Sequence, residues 1–243
     1  MDKHDTVNQL DEELLVAYLT KNVQGFCGPL HSSKFAGGQS NPTFKLDTPT
    51  KTYVLRRQPP GKLLKSAHAV DREFRVLAAL KDSAVPVAEV YHLCEDPSVI
   101  GSMFYIMEYV EGRVFWDSSL PEIADRNTRA QMYQQMVEVM AALHSVDVDA
   151  VGLQDYGRPG NYYERQFSRW SKQYQLSETH KIVEMDALIS WLEQNLPEDD
   201  GRISLVHGDY RMDNLMFHPN EPKIRAVLDW ELSTLGHPYA DLA

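Results

Sequence analysis

His207-Gly208-Asp209, Asn214 five positions after Asp209, and Asp229 at the end of Ile224-Arg225-Ala226-Val227-Leu228 set two carboxylates and an amide around short apolar runs. Residues of these types can hold a divalent cation, nucleotide phosphates and a hydroxyl nucleophile together. Phosphoryl transfer needs that combination, because it gains little from covalent help and much from positioning and charge neutralisation. The step from Asp209 to Asn214 is long enough for a turn that aims a carboxylate at a hydroxyl and an amide oxygen at a metal. Such oxygens are hard ligands suited to Mg²⁺, which usually takes only one or two protein groups beside phosphate oxygens.

These groups need elements to hold them. The run ending at Asp229 has the composition of a buried strand, Leu215-Met216-Phe217-His218 that of a second, and Pro219-Asn220-Glu221-Pro222 that of the turn between them. A hairpin therefore returns Asn214 and Asp229 to one end. Upstream, Phe35-Ala36-Gly37-Gly38-Gln39-Ser40-Asn41 precedes the strand-like Thr43-Phe44-Lys45-Leu46. Gly37 and Gly38 allow close backbone approach to phosphate, and Ser40 and Asn41 add donors; an ordinary hairpin tip would have the same composition. It is not a P-loop, since no G-K-[ST] follows.

Thr52-Tyr53-Val54-Leu55-Arg56-Arg57 resembles a central strand ending in cations. Arg56 is the candidate for nucleotide phosphates, which arginine grips as a planar fork; alternation puts Arg57 on the opposite face, as a solvated surface residue. Val70, Phe74, Leu77 and Leu80 mark an amphipathic helix, with Glu73 beside its apolar face, where an inward pair with Arg56 is permitted.

The segment His207-Gly208-Asp209-x-x-x-x-Asn214 resembles the H-G-D-x-x-x-x-N catalytic loop of the aminoglycoside phosphotransferase and choline kinase families, relatives of protein kinases with the same Asp-to-Asn spacing. Gly236-His237-Pro238-Tyr239-Ala240-Asp241-Leu242-Ala243 resembles their G-D-P-x-x-D-L-A segment, with His237 where Asp is commoner. The resemblance runs from about residue 35 to 243. Val54-Leu55-Arg56-Arg57-Gln58-Pro59-Pro60-Gly61, Asp71-Arg72-Glu73-Phe74 and Leu228-Asp229-Trp230-Glu231-Leu232-Ser233-Thr234-Leu235-Gly236-His237-Pro238 are similar to the kinase-like domain fused to, or encoded alongside, acyl-CoA dehydrogenases.

The resemblance implies Asp209 as catalytic base and Asn214 and Asp229 as metal ligands. Glu231 becomes a second metal or water-shell ligand, or else a hydrogen-bonded loop carboxylate. Glu73 positions Arg56, and the stretch from Phe104 to Gly112 is the hinge, where backbone groups around Glu108 and Val110 meet the adenine edge. His207 braces the catalytic loop and Asp241 anchors it through backbone hydrogen bonds. ATP and Mg²⁺ are the implied cofactors. The implied fold is α+β, a two-lobed protein-kinase-like fold around a nucleotide cleft. Its nucleotide-binding lobe, 1–111, is an antiparallel sheet with a helix; its mainly helical catalytic lobe, 112–243, is incomplete, because family members continue for several helices beyond Ala243.

Composition bounds the reading. With 243 residues, 43% hydrophobic, the chain can bury a core for one large domain or two lobes. A formal net charge of −11 disfavours sequence-independent nucleic-acid binding, which needs clustered cations. The basic stretch Arg56, Arg57, Lys62 and Lys65 is local, and Lys62 and Lys65 suit a solvated surface. Cys27 and Cys94 have neither metal-type spacing nor the makings of a disulfide framework. The acidic start Met1-Asp2-Lys3-His4-Asp5 is unlike a targeting peptide, and no run approaches transmembrane length, so the expected location is cytoplasmic.

Leu10, Leu14, Leu15, Tyr18 and Leu19 share one face of a leading helix, and Met132, Met136, Val139, Met140 and Leu143 form the core stripe of a helix over 126–145. Further helices are predicted over 162–174 and 183–196, the latter closed by Pro197. Tyr162, Tyr163 and Trp170 suit helix packing, with the lining of an acceptor site as the alternative, and His144 and His180 are surface or core histidines without partners at ligand spacing.

The expected function is ATP-dependent, Mg²⁺-assisted phosphoryl transfer to a small-molecule hydroxyl, with no nucleic-acid or membrane partner. The dehydrogenase association implies a hydroxyacyl thioester acceptor and an acyl-CoA dehydrogenase partner; aminoglycosides are the weaker candidate. Two alternatives stay open. A nucleotide-binding pseudokinase would bind ATP in a regulatory role. A metal-dependent phosphohydrolase would use His207, Asp209, Asp229 and Glu231, and would need neither Gly37-Gly38 nor the Glu108 hinge.

Overall fold

The computed structural model describes residues 10–35, 41–59 and 69–242; Gly37, Gly38, Ser40, Lys62 and Lys65 lie outside them. In chain order the elements are α1 (Glu12–Asn22), β1 (His31–Lys34), β2 (Thr43–Asp47), β3 (Thr52–Arg57), α2 (Val70–Leu80), β4 (Val90–Cys94), β5 (Phe104–Glu108), α3 (Arg126–His144), α4 (Tyr162–Ser177), α5 (Val183–Gln194), β6 (Ser204–Val206), β7 (Leu215–Phe217), β8 (Ile224–Val227) and β9 (Thr234–Gly236). Short 3₁₀ turns occupy Met212–Asn214, Trp230–Leu232 and Pro238–Leu242. The class is α+β, as the sequence implies. By packing, the described residues form two compact units, one up to Ala142 with Arg211–Leu232, the other Leu143–Tyr210 with Ser233 onward. The lobe division at 111/112 is drawn on a different basis and stays a proposal.

The first unit is built on an antiparallel sheet of order β1-β2-β3-β5-β4. Alternation sorts its residues by face. Phe44, Leu46, Tyr53, Leu55, Phe104 and Ile106 pack in one cluster with Leu15 and Leu19 of α1 and with Val23, Phe26 and Leu30. Asp11 caps α1, its carboxylate accepting from Leu14 N–H at 3.0 Å. Leu14 departs from expectation: it is 54% exposed, because Leu15 and Leu19, one turn apart, take the buried stripe.

Arg57 also departs from expectation. Alternation puts it on the face that α1 covers, so it is 2% exposed rather than solvated. Its guanidinium sits over the Phe44 ring at 5.6 Å and donates to the Ile100 carbonyl at 3.2 Å, while burial lowers its pKa.

Val54, Arg56 and Tyr105 fall on the other face, toward α2. Val70, Val76, Leu77 and Leu80 of α2 are buried, and the Phe74 ring meets Tyr105 edge-on at 6.2 Å. Asp71 and Glu73 in its first turn complement the helix dipole.

The β7–β8 hairpin forms where predicted and is fixed on two sides. Arg113 and Phe217 exchange backbone hydrogen bonds of 2.8 Å, and Val227 N–H donates to Pro86 C=O at 2.9 Å. Gly112 permits the first contact, since a Cβ there would lie 2.5 Å from Phe217 O.

In the second unit β6 pairs with β9, a three-residue strand too short to be predicted, and α4 packs on α5. Gly236 receives the Tyr162 ring, which an added Cβ would meet at 2.5 Å. Trp170 contradicts the packing expectation: it is 53% exposed, with the Arg169 guanidinium 5.0 Å from its ring centre. Of the α3 stripe, Met132, Val139 and Leu143 are buried and Met136 and Met140 partly so.

Candidate active site

Arg56 occupies the α2 side of β3 with its side chain 12% exposed. Its Nε lies 2.7 Å from Glu73 Oε2, an ion pair whose N–H points off the hydrogen-bond line, and its Nη2 donates to Asp229 Oδ1 at 2.5 Å. Nη1 lies 3.4 Å from Thr43 Oγ1. Glu73 is 1% exposed and takes two further hydrogen bonds, from the Asn41 amide at 2.8 Å and from the Tyr105 hydroxyl at 3.1 Å.

The electrostatics follow from burial. Desolvation lifts the Glu73 carboxyl above its ordinary range against the pull of Arg56. For Arg56, desolvation works toward neutrality, but Glu73, Tyr105 and Asp229 outweigh it and raise its pKa. Burial and the Glu73 carboxylate push the Tyr105 hydroxyl well above its usual value, so it remains a donor. Tyr105→Phe is expected to lower stability by about 1 to 2 kcal/mol, because Glu73 loses one donor where water cannot replace it. An unchanged denaturant midpoint would show that this hydrogen bond adds nothing.

Asp229 follows β8 in a left-handed conformation, φ 61°, which costs a non-glycine residue on the order of 1–3 kcal/mol and persists only where the surroundings impose it. Two contacts impose it here. Leu228 N–H donates to Asn214 C=O at 2.8 Å, and the buried Trp230 indole N–H donates to Val227 C=O at 3.0 Å. The first contact also brings Asn214 and Asp229 to the same end of the hairpin, and the Asp229 side chain keeps 36% exposure. One carboxylate and one amide fit Mg²⁺ by number and hardness. Among the described residues, no group of three or more His, Cys, Asp or Glu side chains is arranged to hold a metal. Glu231 is half-buried in the 3₁₀ turn after Asp229.

Glu108 stands opposite Tyr53 across the β3–β5 ladder, three residue pairs from Arg56, or about 10 Å along the strand. Its N–H donates to Glu89 C=O at 2.7 Å.

The loop carrying Asp209 belongs to the second unit. Asp241, its side chain fully buried, accepts from His207 N–H at 2.8 Å, from Gly208 N–H at 2.7 Å, and contacts His144 Nε2 at 2.9 Å. Gly208 has φ 83°, a conformation that favours glycine. His207 is fully buried, and its Nδ1 accepts from Asp209 N–H at 3.3 Å. The half-buried Asp209 side chain is thus carried on a loop pinned through its backbone.

Residues 31–243 match the profile of the phosphotransferase enzyme family, APH. The chain belongs to this family. Among curated proteins, this phosphotransferase domain is 48% identical to "Probable acyl-CoA dehydrogenase IBR3" of Arabidopsis thaliana, over 98% of the chain and 31% of that protein. It is 46% identical to acyl-CoA dehydrogenase family member 11 of Rattus norvegicus, over 97% of the chain and 31% of that protein. The chain therefore spans about a third of the length of these relatives. A crystal structure from Ralstonia eutropha, provisionally described as an aminoglycoside phosphotransferase, superposes with a TM-score of 0.86 at 55% identity, over 96% of this chain and 68% of that one. The streptomycin–ATP complex of APH(2")-IIa gives 0.65 at 20% identity, over 96% and 74%, and shows the shared kinase-like fold.

In this family member, the side-chain amide of Asn41, expected to face phosphate, is turned to Glu73. Tyr105 in the Glu73 cluster of the first unit and His144 beside Asp241 in the second had no sequence signal for these parts: a tyrosine in an apolar strand suits core packing, and His144 lies 97 residues from Asp241.

Proposed function

We propose that this domain transfers the γ-phosphoryl group of ATP to a hydroxyl of a small molecule. The observation that carries the reading is the single guanidinium of Arg56 set between Glu73 and Asp229. A permanently charged fork beside a partly exposed carboxylate is what a triphosphate with its cation would engage. Arg56 would grip nucleotide phosphates, Glu73 would hold Arg56, and backbone groups at Glu108 and Val110 would receive the adenine edge. Gly37, Gly38, Ser40 and Asn41 remain the proposed phosphate-covering segment.

Asn214 and Asp229 would hold Mg²⁺, with Glu231 as a further or outer ligand. Bound there, the ion would neutralise charge on the phosphoryl oxygens. Asp209 would orient the acceptor hydroxyl and take its proton, with His207 and Asp241 keeping the loop in place.

For the acceptor we propose a hydroxyacyl thioester, and for the partner an acyl-CoA dehydrogenase; the names of the two curated relatives support both. Cys27 and Cys94 are free thiols, which suits the cytoplasm as the proposed location. Among the described residues no helix is long and apolar enough to cross a membrane.

Calorimetric titration with ATP is the direct test. Binding is expected to be saturable and to strengthen with Mg²⁺ by roughly tenfold, the scale of ordinary site coupling, and Asp229→Ala should remove most of that gain. A folded protein that binds no ATP under either condition would defeat the reading.

A further inference from the structure

We propose that Arg56 makes this site select the metal–nucleotide complex over free metal, because its guanidinium occupies the carboxylate a metal would use until a phosphate draws it away. The inference rests on the phosphoryl-transfer reading above and adds a specificity that the family resemblance does not supply.

The geometry separates a fixed end from an exchangeable one. At the fixed end, Glu73, its side chain 2% exposed, lies 2.7 Å from Arg56 Nε and is held by Asn41 and Tyr105. At the other end, Asp229 Oδ1 accepts from Nη2 at 2.5 Å, and its side chain is 36% exposed. Nη1 is directed at Thr43 Oγ1. Each guanidinium nitrogen thus lies close to a protein oxygen, and of the two carboxylates Asp229 is the one open to solvent, 36% exposed against 2% for Glu73.

A cation approaching Asp229 alone meets an oxygen already hydrogen-bonded to a positive group. It must displace that group or bind against its repulsion. A nucleotide phosphate changes both terms at once, because its oxygens give the fork a new partner and give the cation additional ligands. The consequence is reciprocal: nucleotide raises metal affinity and metal raises nucleotide affinity by the same factor.

The residue type matters here. Lysine is a compact point charge on a flexible stem and cannot hold Glu73 and Asp229 through separate nitrogens of one rigid plane. Arg56→Lys therefore keeps the charge and the partner for Glu73 while weakening the hold on Asp229, so it isolates the bridge from simple electrostatics.

The experiment is Mn²⁺ binding followed by the loss of the free-ion electron paramagnetic resonance signal, with and without a non-hydrolysable ATP analogue. It compares the parent protein, Arg56→Lys and Asp229→Asn. In the parent, the analogue should raise Mn²⁺ affinity by about tenfold or more. Arg56→Lys should raise nucleotide-free Mn²⁺ affinity several-fold and shrink the effect of the analogue, and Asp229→Asn should weaken Mn²⁺ binding in both conditions.

Should Arg56→Lys misfold, the pair Arg56→Met with Glu73→Gln removes the bridge without stranding a buried charge, and the same rise in nucleotide-free Mn²⁺ affinity is expected. Unchanged nucleotide-free Mn²⁺ affinity in folded Arg56 variants, alongside intact binding of analogue and metal, would overturn the selection role and leave the phosphotransferase reading standing. Failure of the folded parent protein to bind either ligand would overturn both.

Discussion

Asp209→Asn is expected to reduce turnover by about 10²- to 10⁴-fold, the usual contribution of a positioned general base, while ATP binding stays essentially unchanged. Asparagine keeps the size and polarity of the side chain but cannot accept the hydroxyl proton. The loop should keep its shape, because the bonds that fix it are backbone ones: His207 and Gly208 N–H to Asp241, and Asp209 N–H to His207 Nδ1. The loss should therefore appear in kcat, with little change in the Kd for ATP. The measurement is ADP release with hydroxyacyl thioesters and then aminoglycosides as acceptors, set beside calorimetric ATP binding. Turnover retained by the variant would remove Asp209 from the base role. ATP binding without turnover on any acceptor, by parent and variant alike, would favour the regulatory-module alternative. Hydrolysis of phosphate esters that survives substitution of the hinge would favour the phosphohydrolase.

The pairing of Arg56 with Glu73 could be anticipated because two periodicities permit it and the kinase-like resemblance calls for it; by periodicity alone Glu73 would read as a solvated helix residue. Strand alternation assigns Arg56 to one face of β3, and the helical repeat places Glu73 next to the apolar stripe of α2. What those periodicities omit is whether a face is covered. Arg57 shows the gap: its face was inferred correctly from alternation, yet its burial depends on Phe44, Ile100 and the α1 cluster, none of which local composition assigns to it. Tyr105 shows another. Its place beside Glu73 depends on the β3–β5 register, which pairs Arg56 with Tyr105 across residues that share no local pattern. The β7–β8 hairpin was legible because apolar runs, a Pro-bounded turn and both candidate ligands lie within one short segment. By contrast, the left-handed backbone at Asp229 follows from contacts made by Leu228 and Trp230, and an aspartate, though commoner in that region than most side chains, is only a weak sign of it.

Asp241→Asn should cost roughly 3 kcal/mol or more of stability, because it breaks a buried group of hydrogen bonds on one ionised acceptor. In the folded protein the side chain is fully buried and serves His207 N–H, Gly208 N–H and His144 together. The amide that replaces one oxygen is a donor, and it would face a backbone donor or the His144 ring. Burial pushes the Asp241 carboxyl upward, but His144 and the two N–H groups outweigh this and hold it below the ordinary carboxylate range. The folded state therefore takes up this proton less readily than the unfolded chain. Its contribution to stability is fully present above the unfolded value of about 4 and is lost as pH falls through the lower folded value. Denaturant unfolding between neutral pH and about pH 3 should show the parent losing stability over the acid part of that range. Asp241→Asn should start lower and lack that part of the decline. If parent and variant lose stability in parallel on acidification, the depressed titration belongs to other carboxylates. If their midpoints also coincide at neutral pH, Asp241 does not anchor the Asp209 loop.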